Sequence, residues 1–265
     1  MIEIQAQDIT VKYSKKVIID KLNVKLQKGK VTAILGPNGS GKSTLLKTLV
    51  GLIPHQKGEI IINNKNLADF HKIELAKILS ILPQSPDSPH DITVKQLVSY
   101  GRHAHNSWFK NTKKEDDLYV DWALNVTNLT EFSDSYLYEL SGGQKQRVWI
   151  AMSLAQNSTY LFLDEPTTYL DIHYQFEILS LLRNLNQNQN KTIIMVLHEL
   201  QNAIQYADHI IVLDKGSIVA NDTTENILDS KILEDVFKIK IKQLYDDNNQ
   251  SHAIICDQLP MMSIK

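Results

Sequence analysis

Apolar and polar residues alternate from Ile2 to Tyr13 and again from Val17 to Leu26, the period of a half-buried strand. A polar turn, Gln27-Lys28-Gly29-Lys30, leads into Val31-Thr32-Ala33-Ile34-Leu35, an apolar run that reads as a buried strand. The two alternating segments predict an antiparallel sheet at the start of the chain. Helical spacing follows over Ser43–Val50. Gly58 opens a strand at Glu59–Ile62, and Asn63-Asn64 predicts a tight turn. Ile73–Ala76 reads as a short helical piece, and Ile78–Leu82 as a strand ending in Pro83-Gln84. The loop from Ser85 to Asp91, with Pro86 and Pro89, reads as a hinge. From Thr93 to about Asn157 strand patterns give way to helical spacing: Val94, Leu97 and Val98, then Leu118, Val120, Trp122 and Leu124. This stretch, taken as residues 85–157, reads as a helical subdomain inserted in a larger domain. Within it, Lys113-Lys114-Glu115-Asp116-Asp117 is expected to be a solvated helix start.

Strand character returns at Tyr160–Leu163. Ile172–Leu185 has helical spacing, and the Asn/Gln stretch Asn184–Asn190 reads as a surface loop. Ile193–Leu197 and Ile210–Leu213 read as buried strands with a helix between them, and Lys215-Gly216 makes a hairpin into Ser217-Ile218-Val219. The tail, residues 237–258, alternates around Asp246-Asp247-Asn248-Asn249 and predicts a small terminal hairpin. Strands alternating with helices call for a doubly wound parallel sheet. The expected fold is therefore α/β: a parallel sheet core, an antiparallel β subdomain and an inserted helical subdomain, all within a single domain, residues 1–265.

Composition narrows the classes. The net charge of −2 gives no basic excess, which argues against nucleic acid as a partner. One cysteine, Cys256, makes a disulfide framework impossible and suits a cytosolic chain. The start, Met1-Ile2-Glu3-Ile4-Gln5, lacks the plan of a signal peptide. No apolar stretch approaches the roughly 18–20 residues needed to span a bilayer, so work at a membrane would go through a partner.

The chemistry centres on Gly36-Pro37-Asn38-Gly39-Ser40-Gly41-Lys42-Ser43-Thr44, which matches the G-x-x-x-x-G-K-[ST] phosphate-binding loop. It lies between a buried strand and a helix, the context that the motif needs. Glycines let successive N–H groups turn inward onto phosphate oxygens, and the helix start adds its positive dipole end. Lys42 would reach the β- and γ-phosphates and Ser43 would take one Mg²⁺ position. The fold class is thereby a P-loop nucleotide-binding domain. Asp164 and Glu165 end the apolar strand at Tyr160, at the ligand edge of such a sheet. Asp164 could hold Mg²⁺, and Glu165 could polarise the attacking water. Leu140-Ser141-Gly142-Gly143-Gln144 opens a second helix in the same way and suggests a second anion site. One chain already cradles its phosphates with residues 36–44, so this second site suggests two chains meeting head to tail around nucleotide. His198 follows the strand Ile193–Leu197 and could contact the γ-phosphate. Tyr13 either stacks on adenine or is an edge-strand tyrosine. His103 and His105 lack a carboxylate or cysteine partner set and are not read as an iron site.

This set, in this order, resembles the ATP-binding subunit of ABC transporters over essentially the whole chain. The resemblance implies roles residue by residue. Tyr13 becomes the adenine-stacking aromatic. Gln84 becomes the glutamine that touches Mg²⁺ and links the helical insert to the sheet. Ser141, Gly142, Gly143 and Gln144 become the signature that binds the partner's ATP. Glu165 becomes the catalytic base, Asp171 part of the dimer loop, and His198 the switch histidine. The implied cofactors are ATP and Mg²⁺. The implied partners are a second copy of the chain in a homodimer, an integral membrane permease and, indirectly, a lipid-anchored siderophore-binding protein. The implied place is the cytoplasmic face of the cell membrane. Thr167-Thr168-Tyr169-Leu170-Asp171-Ile172, Tyr100-Gly101-Arg102-His103-Ala104-His105 and Trp149-Ile150-Ala151-Met152 resemble the subfamily that imports ferric siderophores, haem and vitamin B12, and within it the ferric-hydroxamate uptake ATPases of Gram-positive bacteria. An exporter shares the catalytic motifs but usually carries a fused membrane domain. A soluble ATPase acting on ribosomes or DNA would carry a second such domain or a long coiled coil. The chain shows none of these.

Overall fold

The alternating segments at the start of the chain form β1 (Ile2–Tyr13) and β2 (Lys16–Gln27), paired antiparallel. A computed structural model describes residues 2–84, 91–105, 113–168, 170–245 and 251–258. Three sequence expectations fall outside those residues: the body of the loop from Ser85, the side chain of Tyr169, and the turn Asp246-Asp247-Asn248-Asn249. The described chain divides into two compact units, Met1–Asn64 with Val196–Lys265, and Lys65–Met195.

In the first unit β3 (Val31–Leu35) follows β2, and all five of its residues are buried. An apolar run of this kind is what a strand covered on both faces requires. α1 (Lys42–Leu49) starts directly from the glycine loop and buries Leu45, Leu46 and Leu49. β4 (Lys57–Ile62) then pairs antiparallel with β1, giving the sheet order β2-β1-β4. Asn63 and Asn64 turn the chain in left-handed backbone, a conformation that asparagine tolerates better than most residues.

The second unit opens with the short β5 (Lys65–Asn66), α2 (Lys72–Ile78) and β6 (Leu79–Leu82). Three helices follow: α3 (Val94–Tyr100), α4 (Lys113–Val126) and α5 (Gly142–Ala155). β7 (Tyr160–Asp164) lies parallel to β6 in register Leu79↔Tyr160 to Leu82↔Leu163, and every residue of it is buried. α6 (Ile172–Gln189) and the fully buried β8 (Thr192–Val196) complete the unit.

The chain then returns to the first unit with α7 (Leu200–Tyr206), β9 (His209–Asp214) and β10 (Ser217–Thr223). β9 runs parallel to β3 and antiparallel to β10. Lys215 and Gly216 both have positive φ (47° and 81°), the backbone of a tight hairpin turn. α8 (Thr224–Asp229) and α9 (Ile232–Phe237) precede a final antiparallel pair, β11 (Ile239–Tyr245) and β12 (Ser251–Gln258). The apolar pattern had given no sign of α8 and α9.

Two expectations fail. The Asn/Gln stretch is not a loop as far as Asn190: α6 runs on to Gln189, and Asn190 ends it in left-handed backbone (φ 53°). Leu185 and Asn186 in this stretch are buried. The Asn186 amide donates 2.7 Å to the Lys191 carbonyl, so polar side chains satisfy the helix end from within. The charged run at Lys113 does start a helix, but Asp116 is not solvated. It accepts 2.7 Å from Arg102 Nε with both side chains nearly buried, and Arg102 also donates to the Ala155 carbonyl at 2.9 Å and lies over the Tyr119 ring. Removing one partner of such a pair strands a buried charge, a cost of about 3–5 kcal/mol. This pair fastens α4 to the ends of α3 and α5.

Candidate active site

In the first unit the glycine loop is folded against β9. Gly36 approaches the Leu213 carbonyl so closely that a Cβ would collide with it. Gly41 caps α1 with φ 104°, a conformation that L side chains rarely adopt. No side chain caps this helix and no acidic residue lies in its first turn, so its positive end faces the loop. The Ser40 backbone carbonyl accepts from Gly216 N at 2.9 Å, and Ser40 N donates to the Pro37 carbonyl at 3.2 Å. These bonds fix the loop from both sides. The Lys42 ammonium is buried over the loop and donates to the Gly36 and Pro37 carbonyls at 2.9 and 3.2 Å. Ser40 Oγ is buried with no hydrogen-bond partner among the described residues. An orphaned hydroxyl, an ammonium resting on its own loop and an uncapped helix start together fit a polyphosphate.

The same unit carries Tyr13 and His198. Tyr13 ends β1 and is 49% exposed, which leaves about half of its side chain open. His198 is exposed at the bend between β8 and α7. The chain just before it is tied to β3, with Leu197 N donating to the Ile34 carbonyl at 3.2 Å.

In the second unit Asp164 ends β7 fully buried, and Glu165 follows in left-handed backbone (φ 57°), also buried. A non-glycine residue held there stores backbone strain that the surroundings must sustain. Three contacts do so. Gln84 Nε2 donates to Glu165 Oε2 in a short hydrogen bond, Thr168 Oγ1 donates to the same oxygen at 3.1 Å, and Thr168 N donates to the Glu165 carbonyl at 3.3 Å. Gln84 and Glu165, far apart in sequence, are thus brought together. Thr168 was missed in the sequence; a hydroxyl three residues beyond the glutamate was its only signal.

Ser141 caps α5. Its Oγ accepts from Gln144 N at 3.3 Å, and Gln144 Oε1 accepts from Ser141 N at 2.8 Å, a reciprocal capping box. A Cβ at Gly142 would meet nothing within 4 Å, and one at Gly143 would make only ordinary contact with Tyr174 and Leu170. Packing among the described residues therefore does not explain either glycine. Asp171 caps α6 by accepting from Tyr174 N at 3.2 Å. Gln146, also missed in the sequence, donates 3.0 Å to the Pro166 carbonyl and ties α5 to the Glu165 turn.

His103 and His105 lie together in a short helical turn. His105 Nε2 donates to the Gln156 carbonyl at 2.8 Å, and burial pushes its pKa below the usual histidine range. Among the described residues no group of three His, Cys, Asp or Glu side chains could hold a metal by itself. The Ser43 hydroxyl of the first unit and the Asp164 carboxylate of the second are each hard oxygen donors of the kind that Mg²⁺ takes. No helix of the described residues is long and apolar enough to cross a membrane.

The family model for the ABC transporter matches residues 19–168. The iron(3+)-hydroxamate import ATP-binding protein FhuC of Bacillus subtilis (strain 168) is 42% identical over 93% of this chain and 91% of its own length. The petrobactin import ATP-binding protein FpuD of Bacillus anthracis is 41% identical over 89% and 87%. The achromobactin transport ATP-binding protein CbrD of Dickeya dadantii (strain 3937) is 43% identical over 93% and 91%. Among solved structures, a metal-chelate-type ABC transporter in an inward-facing conformation matches with a TM-score of 0.81 at 29% identity, covering 99% of both chains. A dimeric ATP-binding cassette in a post-hydrolysis state with ADP and Pi matches with a TM-score of 0.73 at 27% identity, over 83% of this chain and 98% of that one. The chain belongs to the ABC transporter family, and it is one of that family's ATP-binding ATPase proteins.

Proposed function

We propose that this ATPase powers import of a ferric siderophore of the hydroxamate type through a membrane permease. The observation that carries the cargo class is the similarity, at 41–43% identity, to import proteins for iron(3+)-hydroxamate, petrobactin and achromobactin. The second reading, haem or vitamin B12 as cargo, rests on the subfamily resemblance alone. The chain acts as a homodimer on the cytoplasmic face of the cell membrane, where the permease contacts it and a lipid-anchored binding protein delivers the chelate from the other side. It is a single nucleotide-binding domain, residues 1–265, with residues 85–157 as its helical subdomain and residues 237–258 as its terminal hairpin.

Residues 36–44 bind the ATP phosphates through backbone N–H groups, and the buried Ser40 hydroxyl and the Lys42 ammonium turn from the loop to the ligand. Tyr13 stacks on adenine. Ser43, Asp164 and Gln84 hold Mg²⁺, which neutralises charge on the β- and γ-phosphates. Glu165 orients and deprotonates the attacking water, and its short hydrogen bond to Gln84 supports a link between the metal position and the base. His198 holds that water from the γ-phosphate side. Ser141, Gly142, Gly143 and Gln144 take the γ-phosphate of ATP bound by the partner subunit, and Asp171 lies in the loop that crosses the dimer interface. Catalysis of this kind is mainly positioning and charge stabilisation.

The test is growth of a strain lacking the gene in iron-restricted medium, with a hydroxamate siderophore, haem or vitamin B12 supplied separately. Loss of hydroxamate use alone, restored by the wild-type gene and not by Lys42→Ala, is the expected result. Unimpaired use of all three would sink the importer reading and leave the ATPase standing.

A further inference from the structure

The first turns of α5 and α6 meet through one side chain that no motif includes. The Tyr174 ring lies beside Gly143, whose Cβ, if present, would be 3.4 Å from the ring edge. One turn further along the same face of α5, the Arg147 guanidinium sits 5.2 Å from the centroid of that ring, within cation–π range. The backbone of Tyr174 is held in turn by Asp171, whose carboxylate accepts its N–H at 3.2 Å. Arg147 is nearly buried. Among the described residues its Nε has no hydrogen-bond partner, and its NH1 stands 3.9 Å from the Glu177 carboxylate, too far for a hydrogen bond. The guanidinium is therefore placed chiefly by the ring and by a long ion pair. Leu170 closes the other side, with a methyl 3.5 Å from the same Gly143 position.

We infer that Tyr174 is a positioning residue that couples the Asp171 cap of α6 to the Ser141–Gln144 turn, so that the two surfaces facing a second copy of the chain keep one fixed geometry. The inference rests on the proposed reading that Ser141–Gln144 binds ATP held by the partner subunit. A side chain that touches Gly143 and Arg147 on one helix, and is itself fixed by Asp171 on the other, sets their spacing. With the ring removed, Gly143 loses its aromatic neighbour and Arg147 its stacking partner, while Lys42, Glu165 and the glycine loop are untouched. Tyr174 would thus govern the approach of two nucleotide-loaded chains and leave the binding of nucleotide to one chain as it is.

The experiment uses the full-length chain. Steady-state ATP hydrolysis is measured in the wild-type background, and ATP-driven dimerisation by sedimentation in a Glu165→Gln background. Binding of a fluorescent ATP analogue to the monomer and a thermal melt are recorded alongside. Tyr174→Ala is expected to lower kcat and to weaken dimerisation by about tenfold each, the scale of a misplaced binding surface. Monomer nucleotide affinity should stay within about twofold, and Tyr174→Phe, which keeps the ring, should restore all readouts. Tyr174→Leu replaces the ring with apolar bulk and serves if the alanine variant does not fold; it is expected to lose dimerisation in the same way. Wild-type dimerisation and kcat in a folded Ala or Leu variant overturns the proposal. So does a Phe variant as defective as Ala, because the ring would then not be the coupling element. If Lys42→Ala hydrolyses ATP normally, the functional reading itself has failed, and that result is separate from any behaviour of the Tyr174 variants.

Discussion

The two glycine turns that open helices in this protein are built to different standards. The loop at Gly36–Thr44 is finished within its own unit: Gly41 is left-handed, Gly36 passes against a neighbouring carbonyl, and Lys42 rests buried on the loop's own oxygens. The turn at Ser141–Gln144 is relaxed. Its serine and glutamine are spent on an ordinary capping box, and neither of its glycines is demanded by a close neighbour. A glycine that costs backbone entropy on folding without giving its own chain anything in return is explained by something from outside. The first turn is a preformed cradle; on the proposed reading the second is a surface for nucleotide held by a partner chain.

The contrast can be broken most forcefully at Lys42. Lys42→Ala removes the charge that the first loop stores, and ATP hydrolysis should fall by about 100-fold or more together with nucleotide affinity. An equilibrium binding assay and a phosphate-release assay read the two losses, and normal affinity would show that the loop does not need its ammonium. Gly142→Ala sharpens the other side. The site has room for a methyl and no positive φ, so folding stability should hold or rise by about 0.4–1 kcal/mol. Turnover should nevertheless drop by about tenfold, because on the proposed reading the methyl would face the phosphate of ATP held by the partner chain. A melt and a kinetic trace on the same sample decide it, and an unchanged rate would reduce the second turn to a plain helix start. The smallest effect lies at the far end of the signature helix. His105 donates to Gln156 just past α5, and burial holds its folded pKa below the unfolded value near 6.5. The unfolded chain then binds more protons, so this contribution is present above that pH and fades as pH falls through it. The melting temperature of His105→Gln should therefore depend less on pH between about 7.5 and 5.5 than that of the wild type.

Much of the first turn was legible in the sequence because phosphate binding there is local. Nine consecutive residues between a strand and a helix carry both the backbone and the charge. The buried strands β3, β7 and β8 were legible for a related reason, since burial on both faces writes an unbroken apolar run. Asn184–Asn190 was misread because helix formation there follows the tertiary burial of Leu185 and Asn186, which polar composition hides. Asp116 was misread for the opposite reason: a charge run normally marks a wet surface, and only Arg102 arriving from another helix makes burial tolerable.

By itself, then, the sequence determined the order of most strands and helices, α8 and α9 excepted, the phosphate loop and the kinds of side chain available for chemistry, because these depend on neighbours along the chain. The tertiary structure alone decided that Gln84 bonds Glu165 across 81 positions, that Thr168 supports the same carboxylate, and that Tyr174 lies between Gly143 and Arg147. Those contacts join residues whose separation is set by packing, and no local pattern of apolar and polar positions encodes which distant side chain will arrive.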